Sequence, residues 1–261
     1  MDTNGLASRI VFAGDRQVGR DALALLLEQG IRPLGLILPS KESASHASQL
    51  AELCPFLDKR LIWYGTEFRS QEAIETLHDL ELDFIICVQF PLIVPRAILN
   101  IPKEGVLNLH PAYLPFNRGW HSAIWAMFDR TPYGATLHFM NEKLDMGDIV
   151  HQKEARVTPA DTGDTLYKRA LELELEVLKE ALPRLLDRSY SRTPQDESSG
   201  STRRRNELFT PAIQEIALDN TIPAKELIDK LRALTTNSLD EAGYFVEGGR
   251  RFRIQVKIIE D

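Results

Sequence analysis

Cysteine is scarce in this chain: its 261 residues carry two, Cys54 and Cys87. They lie far apart and no Cys-x-x-Cys spacing occurs, so neither a disulfide framework nor a thiolate metal site is indicated, and no metal is expected. Cys87 sits in an apolar run and is expected in the core. Long apolar runs are missing as well. None approaches the ~18 residues that would suggest a bilayer-spanning helix, and the first residues, MDTNGLASR, lack the basic segment and apolar stretch of a secretory leader. A cytoplasmic protein without membrane insertion is expected. Excess positive charge is also lacking: 31 Lys and Arg face 38 Asp and Glu, a net charge of -7. That balance argues against a broad phosphate-backbone footprint, and hence against a nucleic-acid partner, while leaving local basic pockets open. There is no internal repeat. The first turn, Gly14-Asp-Arg-Gln-Val-Gly19, lacks the G-x-G-x-x-G spacing, so a nicotinamide cofactor is poorly supported.

What the chain does have is apolar content, 43%, enough for a substantial core. Residues 9–14, 33–38, 61–64 and 84–88 are short apolar runs, and helical patterns follow at 22–30, 44–53 and 71–80. Continuous apolar strands alternating with helices mark a mostly parallel sheet covered on both faces, an α/β, Rossmann-like core. Ligands in such sheets collect at the carboxyl ends of the strands. A long amphipathic helix is expected over 164–186, capped by Asp161 or Thr162. Residues 189–205, rich in Ser, Thr, Pro, Gln and Arg, read as a linker or mobile loop. Beyond it come one or two helices over 211–237 and two strands over 243–259 around Glu247-Gly248-Gly249. The expected organisation is a catalytic domain over 1–188, the linker over 189–205, and a small helix and β-hairpin region over 206–261.

The stretch from Val106 to Val150 carries the chemistry. An apolar run delivers Asn108 and His110 to its far end, a Pro-punctuated loop follows, and Asp145 arrives in a turn beyond the next apolar run. Residues i and i+2 of a strand share a face, so Asn108 and His110 can converge on one reacting group. An amide that donates to an oxyanion, an imidazole that moves a proton or supplies a cation, and a carboxylate that fixes its tautomer or takes the proton suffice for acyl chemistry. Taken singly, each has a blander reading: a satisfied core histidine, a strand-end turn residue, a turn acid beside Gly147.

Three spaced motifs change that balance. Asn108-Leu-His110-Pro111, Leu114-Pro115-Phe-Asn-Arg118-Gly119 and Asp145-Met-Gly147 together resemble the signature of the folate-dependent formyltransferases. Residues 116–121 (FNRGWH), 131–139 (TPYGATLHF) and 231–236 (LRALTT) resemble the branch that formylates an amino group on a nucleotide-linked sugar. The resemblance is dense over 84–178 and thinner after 205. It implies a formyl transfer from 10-formyltetrahydrofolate to the amine of a nucleotide-linked amino-deoxy sugar, a precursor of an O-antigen or another surface polysaccharide, by a homodimer. Asn108 and His110 would bind the oxyanion, and Asp145 would align His110. The proton falls to His110 or Asp145.

The same resemblance puts the pterin slot at Gln89, Phe90, Leu92 and Ile93, where irregular backbone offers donors and acceptors and the side chains offer apolar faces. A Pro-broken strand end packed into the core is the plainer alternative. Arg16, in the first turn, could meet a pyrophosphate or remain solvated. Arg118 could fix a sugar hydroxyl or orient its loop. Trp120 could stack on a base or sugar or anchor the loop, and His121 could touch substrate. Tyr244 with Phe245 could clamp a base or belong to the core. His138 supports the site more plausibly than it reacts.

Rival readings differ in acceptor or in class. Methionyl-tRNA formyltransferase shares donor and triad, and the acidic charge counts against it. Glycinamide ribonucleotide formyltransferase shares the triad too. A hydrolase releasing formate from the folate, or a non-catalytic folate or nucleotide-sugar binding protein, would be told apart by assaying amine-dependent formyl transfer.

Overall fold

The computed structural model describes residues 8–40, 42–43, 45–196 and 198–260. Residues 1–7, the expected start of the second helix at Ala44, and the last residue of the C-terminal region, Asp261, lie outside the described residues. The strands are β1 (Ile10–Gly14), β2 (Gly35–Leu38), β3 (Ile62–Tyr64), β4 (Phe84–Val88), β5 (Gly105–His110), β6 (Arg118–Gly119), β7 (Gly134–Phe139), β8 (Ile149–Glu154), β9 (Thr202–Arg203), β10 (Gly243–Glu247) and β11 (Arg250–Ile254). The α-helices are α1 (Arg16–Glu28), α2 (Ala47–Glu52), α3 (Gln71–Asp79), α4 (Arg96–Leu99), α5 (Ser122–Asp129), α6 (Gly163–Leu186), α7 (Pro211–Gln214) and α8 (Ala224–Ala233). The chain divides into two compact units. One takes the residues up to His110 with Thr136–His151 and Glu174–Gln195; the other takes Pro111–Ala135, Gln152–Leu173 and the residues from Asp196 on.

The first unit is built on a seven-stranded sheet in the order β3-β2-β1-β4-β5-β7-β8. The strands from β3 to β5 pair in parallel, and β7 joins β5 antiparallel, with Asn108 opposite His138 and His110 opposite Thr136. Every residue of β1, β2 and β4 is buried, as strands covered on both faces must be. The expected mostly parallel α/β sheet is therefore present. Val11, Ile37, Phe68, Leu77, Ile85 and Cys87 form one core cluster of this unit. Asp15, just beyond β1, is buried and accepts hydrogen bonds from the backbone N–H groups of Ser45 and His46, at 3.1 and 2.9 Å.

In the second unit α5 and α8 pack through Ile124, Ala233 and Leu234, and a separate cluster joins Ala126, Tyr133, Leu166 and Ala170. Thr162 caps α6: its hydroxyl accepts from the backbone N–H of Thr165 at 3.3 Å, and the Thr165 hydroxyl reciprocates. β10 and β11 form an antiparallel hairpin whose turn glycines, Gly248 (φ 54°) and Gly249 (φ 73°), take the left-handed backbone that a two-residue hairpin turn needs. The ribbon is shorter than the alternation to Ile258 suggests. The N–H of Val256 leaves the ladder and donates to the Thr235 hydroxyl at 3.0 Å.

The polar segment 189–205 makes regular contacts in both units. Thr193 bridges to Ile149 in the first, while β9 pairs in parallel with β6 in the second.

Candidate active site

The two polar residues of β5 lie at the carboxyl end of the strand, two positions apart, so they share a face. Asn108 donates from Nδ2 to Nε2 of His138, directly opposite on β7, at 3.2 Å. His138 can accept there because its other nitrogen, Nδ1, is spent as a donor to the Phe139 carbonyl at 2.8 Å. The imidazole is thereby fixed in one neutral tautomer. Its environment agrees: burial holds the His138 pKa down to about 4, the Asp145 charge opposing and His110 adding to that effect. An amide nitrogen carries two N–H groups, so the bond to His138 uses one and aims the other.

His110 is buried, and its Nε2 has no hydrogen-bond partner among the described residues. The nearest acid is Asp145, whose Oδ2 lies 3.5 Å from that nitrogen; Oδ1 of the same carboxylate is 3.7 Å from His138 Nε2. A buried polar atom left unpaired costs free energy, about 1–3 kcal/mol, so such an atom at a strand end marks a place where a ligand group belongs.

The turn that presents Asp145 is held by two features. Asp145 takes a left-handed backbone, φ 53°, and its peptide oxygen and that of Gly147 both accept from the Gln195 side-chain amide, at 2.8 and 2.7 Å. Gly147 has no alternative. A Cβ there would lie 1.9 Å from the Phe139 carbonyl oxygen.

The segment after β4 begins with Gln89, whose φ of 52° turns the chain sharply at the strand end. Phe90 and Leu92 are half-buried against the core cluster, Phe90 meeting Phe68 edge to face at 5.7 Å, and Ile93 is 79% exposed. The Ile93 carbonyl accepts from Arg69 at 2.7 Å. Arg16 likewise has a left-handed backbone, φ 61°, two residues after the start of the turn that follows β1.

The remaining candidates lie in the second unit. Arg118 is buried; its Nε donates to the Thr202 hydroxyl at 3.1 Å and a terminal nitrogen donates to the Ser199 carbonyl at 3.3 Å. Trp120 is 42% exposed, with the Arg205 guanidinium 5.2 Å from its ring centroid. His121 sits between Glu241, 3.3 Å from its Nδ1, and the Arg205 carbonyl, 3.2 Å from its Nε2. Tyr244 is buried under the Arg251 guanidinium, 4.1 Å from its ring centroid. Among the described residues no group of three or more His, Cys, Asp and Glu is placed to hold a metal ion, and no helix is long and apolar enough to cross a membrane.

Reading the sequence missed Gln195, hidden in a segment of low complexity, and Glu174, a fully buried carboxyl on α6 that faces Gln89. A signal for Glu174 did exist. Position 174 falls four after Ala170, three before Val177 and four before Leu178, on the helix stripe that reads as core.

An amide, an imidazole and a carboxylate brought together near a strand end have the groups that acyl transfer requires. Residues 38–182 match the formyl transferase family and residues 210–260 match the N-formyltransferase dimerization C-terminal domain. The first match spans more than half of the chain, so the chain belongs to the formyl transferase family, and it is a formyltransferase enzyme. Among sequence relatives it is 29% identical over 256 residues to a methionyl-tRNA formyltransferase of Lactobacillus johnsonii, covering 95% of this chain and 78% of that one. The corresponding protein of Geobacillus thermodenitrificans is 28% identical over 235 residues, 87% of this chain and 71% of the other. Similar solved structures include a sugar N-formyltransferase from Shewanella sp FDAARGOS_354, with TM-score 0.80, 20% identity, and coverage of 97% of this chain and 99% of that one. A 4-N formyltransferase from Francisella tularensis gives TM-score 0.76 at 21% identity, with coverage of 97% and 99%. The N-formyltransferase from Helicobacter canadensis, solved with folinic acid and dTDP-3-aminofucose, gives 0.67 at 18% identity, with coverage of 91% and 86%.

Proposed function

We propose that this formyltransferase moves the formyl group of 10-formyltetrahydrofolate to the amine of a nucleotide-linked amino-deoxy sugar, a building block of surface polysaccharide such as an O-antigen. One observation carries the choice of acceptor: residues 210–260 match the N-formyltransferase dimerization domain. The net charge of -7 agrees with it, since a tRNA acceptor would favour a basic surface. The Helicobacter canadensis structure contains folinic acid and dTDP-3-aminofucose, a formylated folate and a nucleotide-linked amino sugar, which supports the reading.

In this reading the acceptor amine attacks as the free base. Its nitrogen bonds to the formyl carbon, the carbonyl oxygen becomes an oxyanion, and the bond to the folate nitrogen breaks as that nitrogen takes up a proton. Asn108, its amide oriented by His138, donates to the oxyanion, and His110 supports the same oxygen. Asp145 aligns His110. The proton leaving the amine passes through His110 or Asp145, whose 3.5 Å separation lets either one accept it and share the charge. Residues 89–93 form the pterin slot, with Gln89 contributing through its backbone turn and Phe90, Leu92 and Ile93 through apolar faces. Arg16 approaches the pyrophosphate. Arg118, bonded to Thr202 and Ser199, orients the loop that carries Trp120 and His121. Trp120, 42% exposed, is the aromatic candidate for the base, whereas Tyr244 is buried beneath the Arg251 guanidinium.

The protein acts as a homodimer. Phe245 and Phe252 stack at 5.2 Å on one face of the hairpin, yet Phe252 is 43% exposed in the single chain. A two-stranded ribbon is marginal in water and needs a partner for such a face, which twofold symmetry supplies.

The test is a panel of dTDP-, UDP- and GDP-linked 3-amino and 4-amino sugars offered with the donor. Gain of one formyl group by one class of sugar is the expected result; formylation of methionyl-tRNA with no sugar modified would replace this reading with its rival.

A further inference from the structure

Glu174 is fully buried on α6, between Ala170 and Val177 on the stripe that faces the core. An apolar residue is the default there, and a carboxyl costs free energy unless it is hydrogen-bonded. Its hydrogen-bond partner is Gln89, whose Nε2 lies 3.1 Å from one carboxyl oxygen and 3.4 Å from the other. Gln89 is the first residue after β4 and holds a left-handed backbone, φ 52°, a conformation that a residue other than glycine keeps only when its surroundings impose it. Its side-chain nitrogen is thus turned inward to the helix. The following backbone then continues through Phe90 and Leu92, which lie against the core, to the exposed Ile93.

We propose that Glu174 is a positioning residue for the formyl donor: through Gln89 it fixes the backbone turn that closes β4 and thereby shapes the pterin slot of residues 89–93. Burial pushes the Glu174 carboxyl up to about 8, against the Gln89 hydrogen bond and the charge of Arg16, so near neutrality the group is mostly protonated. A neutral carboxyl can sit on a core stripe, accept from Gln89 and still hold a proton to donate. An aspartate would be one methylene short of Gln89, and a leucine would remove the carboxyl that the Gln89 amide meets. The inference rests on residues 89–93 being the donor slot.

The test measures binding of 5-formyltetrahydrofolate, a stable analogue of the donor, by calorimetry on the full chain. Glu174→Leu removes the Glu174–Gln89 hydrogen bond and should weaken binding by about tenfold, the scale of one lost buried hydrogen bond. Glu174→Gln, which can still pair with the Gln89 amide, should restore binding to within about threefold of the wild type. Gln89→Leu should cost about the same as Glu174→Leu, and the double variant should add little, because both act through one contact. Wild-type affinity in a folded Glu174→Leu, equal weakening in Glu174→Gln, or full additivity of the two leucine substitutions would overturn the proposal. Failure of the wild type itself to bind the analogue would instead overturn the donor assignment on which it stands.

Discussion

His110 Nε2 and Asp145 Oδ2 lie 3.5 Å apart, with both side chains only 10% exposed. The separation is too long for a good hydrogen bond and short enough for strong electrostatic coupling. A proton delivered by the ligand to His110 would turn the contact into an ion pair and tighten it.

Removing either partner should remove most of the turnover. His110→Asn and Asp145→Asn are each expected to lower kcat by about 10²–10⁴-fold, the range for positioned proton-transfer groups. Circular dichroism and melting curves should stay close to wild type, because both side chains end at a strand terminus or a turn. Folded variants with near wild-type rates would remove the pair from the mechanism.

His138 should stay neutral through the physiological range. With burial holding its pKa down to about 4, below the ordinary 6.5, its ring signals in an NMR titration are expected to remain constant from pH 8 to about pH 5. The linkage has a sign. Between 6.5 and 4 the unfolded chain takes up a proton that the folded chain refuses, so His138 keeps its full contribution above 6.5 and loses it as the pH falls toward 4. A His138 midpoint near 6.5 in the folded protein would contradict this account of how Asn108 is oriented.

Gly147→Ala tests the Asp145 turn. The added methyl would lie 1.9 Å from the Phe139 carbonyl oxygen, which is backbone and cannot swing aside. The turn must shift. A loss of about 1–3 kcal/mol in stability is expected, together with a fall in kcat as Asp145 moves from His110. Unchanged melting temperature and rate would show that the turn is more pliant than its contacts suggest.

The hairpin face should carry the dimer. Phe252→Asp puts a charge on the stacked Phe245–Phe252 pair, at a position 43% exposed in the single chain, so the fold of the protomer should survive. Sedimentation is expected to show a monomer where the wild type is a dimer, and deletion of 243–261 should give a monomer or an aggregating chain. A dimer that withstands both changes would place the interface elsewhere.

Much of this was legible in the residues. Apolar runs at 84–88 and 106–110 are strands because their side chains suit burial on both faces, and the spacing of Asn108 and His110 follows from the strand repeat. Asp145 was legible as a motif beside Gly147, whose need for hydrogen in place of a side chain shows only once Phe139 is in place. Glu174 is different. Local sequence, alternating Glu and Leu, reads as a solvated helix face, and only its i+4 relation to Ala170 and Leu178 hints at the core. Gln195 offered no signal, since its two carbonyl partners are about fifty residues distant along the chain and pairing of that kind has no local period. The left-handed turns at Arg16 and Gln89 were equally silent, because neither residue type favours that conformation and tertiary contacts impose it.

The central claim is amine-dependent formyl transfer through His110, and one assay addresses it. Purified protein is incubated with 10-formyltetrahydrofolate and the nucleotide-linked amino sugars, and the products are read by mass. A gain of one formyl group on a sugar, dependent on the donor and lost in His110→Asn, is the predicted result; release of formate without any amine, or transfer that persists undiminished in His110→Asn, would contradict it.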